Sequence, residues 1–281
     1  MRFLFSTGSL YTYGLARCFA IAADAGFDGI ELMVDDRWDT RQPDYLQVLI
    51  DRYGLPIHAV HCPFRPVPGW PSGKVETLEH TVRLAQAVGT SIVVHHLPMR
   101  VGLIILLIQG RRRPLPIPGW QPDRTYRDWI AGEDYRRLQR ESGVRLCIEN
   151  MPAWRAFGRR WNGFHWNSPD RLTRFPTLTL DTTHLGTWGL EPADIYTQWR
   201  RRVTHVHLSN FDGREHRRPE IGHLDLARFI GALAADGYPG SVTLELSPDA
   251  LDAGDDDAHS RQALSTSLHQ CRAWASEPQP D

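Results

Sequence analysis

The sequence predicts a (β/α)8 barrel, and three observations predict it. Eight strand-like segments alternate with helical ones along 281 residues. Each strand–helix unit runs roughly 30 residues, the length of a βα repeat in a parallel sheet. Strands three to eight each end in a histidine or an acid, and in a parallel barrel all those ends open on one face.

The elements follow in order. Residues 2–7 (RFLFST) read as strand one, and 14–25 as a helix with Leu15, Phe19, Ala22 and Ala23 on one stripe, stopped by Gly26. Strand two is 28–33 (DGIELM), with Glu31 alternating against Ile30 and Leu32; an amphipathic helix over 43–53 ends at Gly54. Strand three is 56–61 (PIHAVH), a helix spans 75–88, and strand four is 91–96 (SIVVHH). The segment 99–121 breaks the rhythm with an aliphatic run, three successive arginines and several prolines. It reads as an insertion in an otherwise single domain over 1–281, either a lid or a contact between copies of the chain. A helix over 125–141 leads to strand five, 144–150 (VRLCIEN). A loop over 151–168 and a short helix precede strand six at 177–181. A helix near 193–200, strand seven at 203–208 (VTHVHL), a helix at 225–235, strand eight at 241–246 (SVTLEL) and a helix near 259–275 complete the count.

Composition sets bounds on function. A net charge of −1 gives no general attraction to nucleic acid, which is not expected as a partner. The basic clusters, such as 111–113 and 200–202, are too short to make a stripe. Four cysteines without CxxC spacing suggest neither a zinc ribbon nor a disulfide framework. No signal core or membrane span is evident, so a reducing cytoplasm is the expected compartment.

The strand ends are His61, the pair His95-His96, Glu149-Asn150, Asp181, His207 and Glu245. Such a ring repels itself unless protonated or bridged by a cation. Its oxygen donors with a borderline nitrogen suit Mn²⁺, Mg²⁺, Co²⁺ or Zn²⁺. Taken singly, each has an ordinary alternative. Asp181 before Thr182-Thr183 reads, taken alone, as a helix N-cap. Glu31 reads either as the partner of an arginine or as a substrate contact. Trp188 is either a packing residue or a platform for a sugar face.

The motifs IEN at 148–150, LDTTH at 180–184, HVHLSN at 205–210 and LEL at 244–246 resemble the xylose isomerase-like (β/α)8 superfamily. That group holds sugar isomerases and sugar phosphate isomerase/epimerases, tagatose/psicose-type epimerases, hydroxypyruvate isomerase and the endonuclease IV branch (AP endonuclease family 2). The resemblance implies that Glu149, Asp181, His207 and Glu245 ligate one divalent metal. It also implies that His184 contacts substrate or a further metal, and that Arg214 or His216, in GREHRRPEIGHLD (213–225), reaches the substrate. His61 and His95 match the histidines that hold a second metal with Glu149 in the endonuclease branch; His95 is preferred over His96 by parity with Ser91. His184 and His216 match two ligands of that branch's third metal. The aspartate expected two residues before His216 is Arg214, with Asp212 and Glu215 out of register.

The function expected is therefore a metal-dependent isomerase or epimerase acting on a ketose, polyol or keto-acid by proton abstraction next to a carbonyl. Glu149 and Glu245 are its acid–base pair. A metal-dependent phosphodiesterase and a non-catalytic ligand-binding barrel are the alternatives.

Overall fold

The computed structural model describes residues 1–277 except 109, 110, 118, 157, 255 and 256, and the side chains of these except 103–116 and 156. The strands, in chain order, are β1 (Arg2–Ser6), β2 (Gly29–Met33), β3 (Ile57–His61), β4 (Ile92–His96), β5 (Gly102–Ile108), β6 (Arg111–Ile117), β7 (Arg145–Glu149), β8 (Trp154–Ala156), β9 (Arg159–Trp161), β10 (Leu178–Asp181), β11 (Val203–Leu208) and β12 (Ser241–Leu244). Eight of them close a barrel in the order β1-β12-β11-β10-β7-β4-β3-β2, and every neighbouring pair is parallel. No helix among the described residues is long and apolar enough to cross a membrane.

Alternation along the strands explains the closure. Val60, Val93, Leu146, Ile148, Leu180, Val206, Leu208 and Leu244 belong to the main core with helix residues such as Leu78, Phe229 and Leu264. They therefore point out of the barrel. Ala59, Ile92, Val94 and Cys147 form a separate apolar cluster, the plug inside it. In β3, β4 and β7 the next inward positions towards the C-terminal end are His61, His96 and Glu149. The interior is thus apolar at the floor and polar at the rim.

Three local features differ from the sequence reading. The helix expected over 125–141 is two helices, Arg124–Ala131 and Glu133–Ser142, because Gly132 between them is extended (φ −87°, ψ −177°). A helix that the N-cap reading of Asp181 allowed but the element count left out, Thr182–Trp188, begins directly after β10. Strand β12 ends at Leu244, so Glu245 is the first residue past it.

Within 99–121, β5 and β6 pair antiparallel with each other in a sheet apart from the barrel; Gln109, Gly110 and Pro118 lie outside the described residues. The base of this hairpin is fixed at the barrel rim. Met99 bridges to Phe164, and its N–H donates to Asp123 at 2.7 Å.

Candidate functional site

Four side chains from four strand ends converge at the rim. One ligand atom each from Glu149, Asp181, His207 and Glu245 lies within 4.8 Å of the others. His207 Nδ1 stands 2.9 Å from Glu245 Oε2, 3.2 Å from Glu149 Oε1 and 3.8 Å from Asp181 Oδ2. All four are buried or nearly so; Glu245 is the most open, at 15% side-chain exposure. Asn150 fixes the spacing of two strands by accepting from Asp181 N–H and donating to the Asp181 carbonyl.

Asp181 serves two purposes. Its Oδ1 accepts the His184 N–H at 2.7 Å and caps the helix Thr182–Trp188. Its Oδ2 is buried with no hydrogen-bond partner. Burial pushes this carboxyl up to about 7, opposed by His184. A buried carboxylate oxygen without a hydrogen bond, with only His184 Nδ1 at 3.5 Å and His207 Nδ1 at 3.8 Å to offset two further carboxylates, is a costly arrangement, and a divalent cation in that position would satisfy it. The donor set fits such an ion. For Glu149 and Glu245 burial works upward, but the His207 ring reverses it: Glu149 is held well below the usual carboxylate range and Glu245 at about 2. His207 itself, despite burial, is held well above the usual imidazole range by Glu31, Glu245 and Glu149.

Glu31 lies beneath this centre, not at a substrate. It is fully buried and paired with no arginine. Its carboxylate accepts from His205 Nε2 at 2.6 Å, Thr243 Oγ1 at 2.7 Å and His207 Nε2 at 2.9 Å. The expectation of a substrate contact is corrected: β2 carries Glu31 inward but one layer too deep. Thr243 and His205, which strand alternation turns inward but to which the sequence reading gave no role, complete that layer.

A second cluster joins His61, His96 and Glu149. His61 Nε2 is 3.4 Å and His96 Nε2 3.2 Å from Glu149 Oε2. Here His96 replaces His95. β4 and β7 pair without a bulge, setting His96 beside Glu149 and His95 beside the outward Ile148. His95 is sealed outside the barrel between two phenols: Nδ1 is 2.8 Å from Tyr126 Oη and Nε2 3.0 Å from Tyr135 Oη. Tyr135 donates to the Leu146 carbonyl, so His95 Nε2–H donates to Tyr135 and Nδ1 accepts from Tyr126. Burial lowers this imidazole to about 3. Parity with Glu149, and not with Ser91, was the usable signal.

A third cluster joins His184, Glu215 and His216. His184 Nδ1 is held at 2.8 Å from the Asn150 carbonyl, and Nε2 lies 3.7 Å from Glu215 Oε2. The expectation placed Glu215 out of register. The backbone explains its arrival: His216 is left-handed (φ 58°), a conformation that non-glycine residues hold only where surroundings enforce it. Arg214 instead turns outward, 65% exposed, towards Asp212 and Asp249, so its expected approach to substrate is corrected. No signal in the sequence announces the left-handed turn. Trp188 is not at a substrate face either. It donates its indole N–H to the Met151 carbonyl at 3.0 Å and lines neither of the chambers described next.

Two chambers open over these clusters. One, of about 570 Å³, reaches Glu245 and His216 and is walled by Tyr11, Met33, Asp36 and Ser247 among others. The other, of about 370 Å³, reaches His96. Pro63, Phe64 and Arg65 line both, and Phe64 stacks on His96 with ring centroids 5.3 Å apart at 14°.

Fold and site together define a (β/α)8 barrel with a carboxylate–histidine centre at its C-terminal rim. The chain belongs to the xylose isomerase-like TIM barrel family, whose model matches residues 19–267. It is 27% identical over 256 residues to an uncharacterized protein of Mycobacterium tuberculosis (strain ATCC 25618 / H37Rv), covering 86% of this chain and 87% of that one. Among solved structures, 3-keto-D-glucoside 4-epimerase from E. coli is similar with a TM-score of 0.68 and 18% identity, over 97% of this chain and 99% of that one. An AP endonuclease of family 2 from Brucella melitensis is similar with a TM-score of 0.63 and 16% identity, over 88% and 93%. Both share the fold.

Proposed function

We propose that the protein is a divalent-metal-dependent isomerase or epimerase of a ketose or a related polyol or keto-acid. The observation that carries this reading is the orphaned Asp181 Oδ2 facing Glu149, Glu245 and His207 Nδ1. Glu149, Asp181, His207 and Glu245 would hold the ion. When bound, it supplies a Lewis acid that polarises a carbonyl and stabilises charge developing on its oxygen.

The chain's own residues supply the proton transfers. Glu245 is open to the larger chamber and is ionised at neutral pH, so it is placed to take a proton from the carbon beside a carbonyl. Glu149, across His207 from it, is the second carboxylate of the pair; it is ionised too, so it returns a proton to the other face only after taking one from a substrate hydroxyl. His216 lines that chamber, with the His184 ring packed edge-on against it at 5.7 Å, and would orient substrate oxygens there. We place the protein in the reducing cytoplasm, a reading supported by its four free cysteines.

The test is turnover of a ketose panel in D₂O with the metal-loaded protein. The expected result is deuterium entering the carbon next to the carbonyl, with loss of exchange in Glu245→Gln. A second reading, phosphodiester hydrolysis, is favoured by the two neighbouring clusters, which add ligands for further ions. Cleavage of abasic DNA or bis(p-nitrophenyl) phosphate without any ketose exchange would select it.

A further inference from the structure

The smaller chamber has the wrong chemistry for a second sugar ring. Apart from His96, whose Nε2 faces Glu149 at 3.2 Å, its polar side chains are engaged within the protein or lie at its rim. Lys74 is paired with Asp123 at 2.7 Å, and the Thr77 hydroxyl donates to the Pro71 carbonyl at 2.9 Å. Both His95 nitrogens are taken by Tyr126 and Tyr135. The Cys62 thiol is kept neutral by burial and accepts from the Thr81 hydroxyl. Arg65 and Ser72 are exposed, at the rim. What remains is carbon and sulfur surface from Leu97, Met99, Met151, Phe164 and the Tyr126 ring, with Phe64 at the mouth. A hydroxyl moved there would lose its water partners and gain few in return.

The chamber is also continuous with the proposed reaction centre. Phe64 lines both chambers and lies flat on His96, and His96 touches Glu149. Its volume of about 370 Å³ exceeds the roughly 150 Å³ apolar cavity that holds benzene elsewhere.

Taking the reading above as its basis, we infer that this chamber is a subsite for a flat apolar group carried by the substrate. The reacting molecule is thus a polyhydroxy carbonyl compound with an aryl-sized apolar substituent, lying across the cluster with its polar part beside Glu245. A free monosaccharide would leave the smaller chamber unfilled.

The probe is 4-fluorophenol, followed by fluorine NMR on the zinc-loaded protein, with crystals soaked in the same compound. Wild type should broaden and saturate the signal, with the ring located between Phe64 and Phe164. Met99→Trp, which fills the chamber from its half-buried rim, should weaken binding at least about tenfold with zinc content unchanged. Phe64→Ala, at a 57% exposed position that leaves the core intact, should weaken it as well. No saturable binding to wild type, or binding that Met99→Trp and Phe64→Ala both leave unchanged, overturns the inference. Failure of the isomerase reading is seen separately, as absence of deuterium exchange on any ketose.

Discussion

Glu31 and His207, 176 positions apart, meet at 2.9 Å in the barrel interior, carboxylate to Nε2. That contact turns Nδ1, the other ring nitrogen, towards Glu149, Asp181 and Glu245. A carboxylate behind a ligating imidazole fixes its orientation and raises its basicity. His205 and Thr243 donate to the same carboxylate, so it has to stay an acceptor on both oxygens. Glu31→Gln puts an amide N–H₂ where donors already point. Its affinity for a divalent cation, read by chelator competition, should fall roughly 10- to 100-fold with little change in circular dichroism. Unchanged affinity would mean that packing alone orients the ring.

Asp181 links helix and centre, and two substitutions separate those duties. Asn is as good an N-cap as Asp, so Asp181→Asn should fold with normal or raised thermal stability, since it removes a buried carboxylate, and lose the tight ion. Asp181→Ala should lose the ion and about 1 kcal/mol of stability with the cap. Equal metal content in wild type and Asp181→Asn would remove this aspartate from the centre.

The strand-end ring was readable because barrel alternation is strict: Cys147 and Glu149, or His205 and His207, must share a face whatever the helices do. The two duties of Asp181 were both visible in LDTTH, and the structure satisfies them together through its two oxygens. His96 was readable in principle, since β4 and β7 pair without a bulge, but the parity reference taken was the wrong one. Glu31 was placed on its strand correctly; its partners lie 174 to 212 positions away, and no local pattern reports such a meeting. Glu215 depended on one left-handed residue, His216, where no glycine marks the turn.

The two adjacent histidines should behave oppositely. His95→Phe leaves the Tyr126 hydroxyl without its short acceptor, while Tyr135 keeps the Leu146 carbonyl, at a cost of about 1–3 kcal/mol, and metal content stays normal. His96→Ala, at a 27% exposed side chain, should be close to neutral in stability and weaken a second ion bridged through Glu149. Denaturant melts beside metal titrations check both. The unfolded chain protonates His95 below its ordinary value near 6.5, whereas the folded protein resists until about 3. That residue therefore costs wild-type stability as pH falls through this window, and His95→Phe should flatten the slope there.

Above neutrality the sign reverses for the metal-free protein. Folded His184 keeps its proton up to about 10, because Asp181 and Glu149 more than offset burial; the unfolded chain releases it near 6.5. Stability from this group is complete below about 6.5 and is lost as pH rises towards 10. Melting temperature of the metal-free protein should drop across that interval, and a bound cation, supplying the positive charge instead, should reduce the drop. A flat profile from pH 7 to 10 in the metal-free protein would contradict it.

The number of ions separates the isomerase reading from the hydrolase one. The centre of Glu149, Asp181, His207 and Glu245 holds three carboxylates, enough to offset a divalent charge and leave substrate positions open. The other clusters bring less. His61 and His96 share Glu149 with the first, and His184 and His216 add only Glu215, whose side chain is 39% exposed. Cations held by neighbouring clusters repel one another, and that repulsion falls hardest on the sites with fewest carboxylates. We therefore expect one tight ion, with any others weaker by at least about tenfold, a gap of about 1.4 kcal/mol. Glu215→Gln should leave the tight ion and ketose exchange in place while removing the weakest ion. Arg214→Ala, pointing outward, should change neither. Calorimetric titration with Mn²⁺ or Zn²⁺ decides. Three equally tight ions, reduced to two by Glu215→Gln together with loss of phosphodiester cleavage, would make the third cluster part of a hydrolytic centre and displace the isomerase reading.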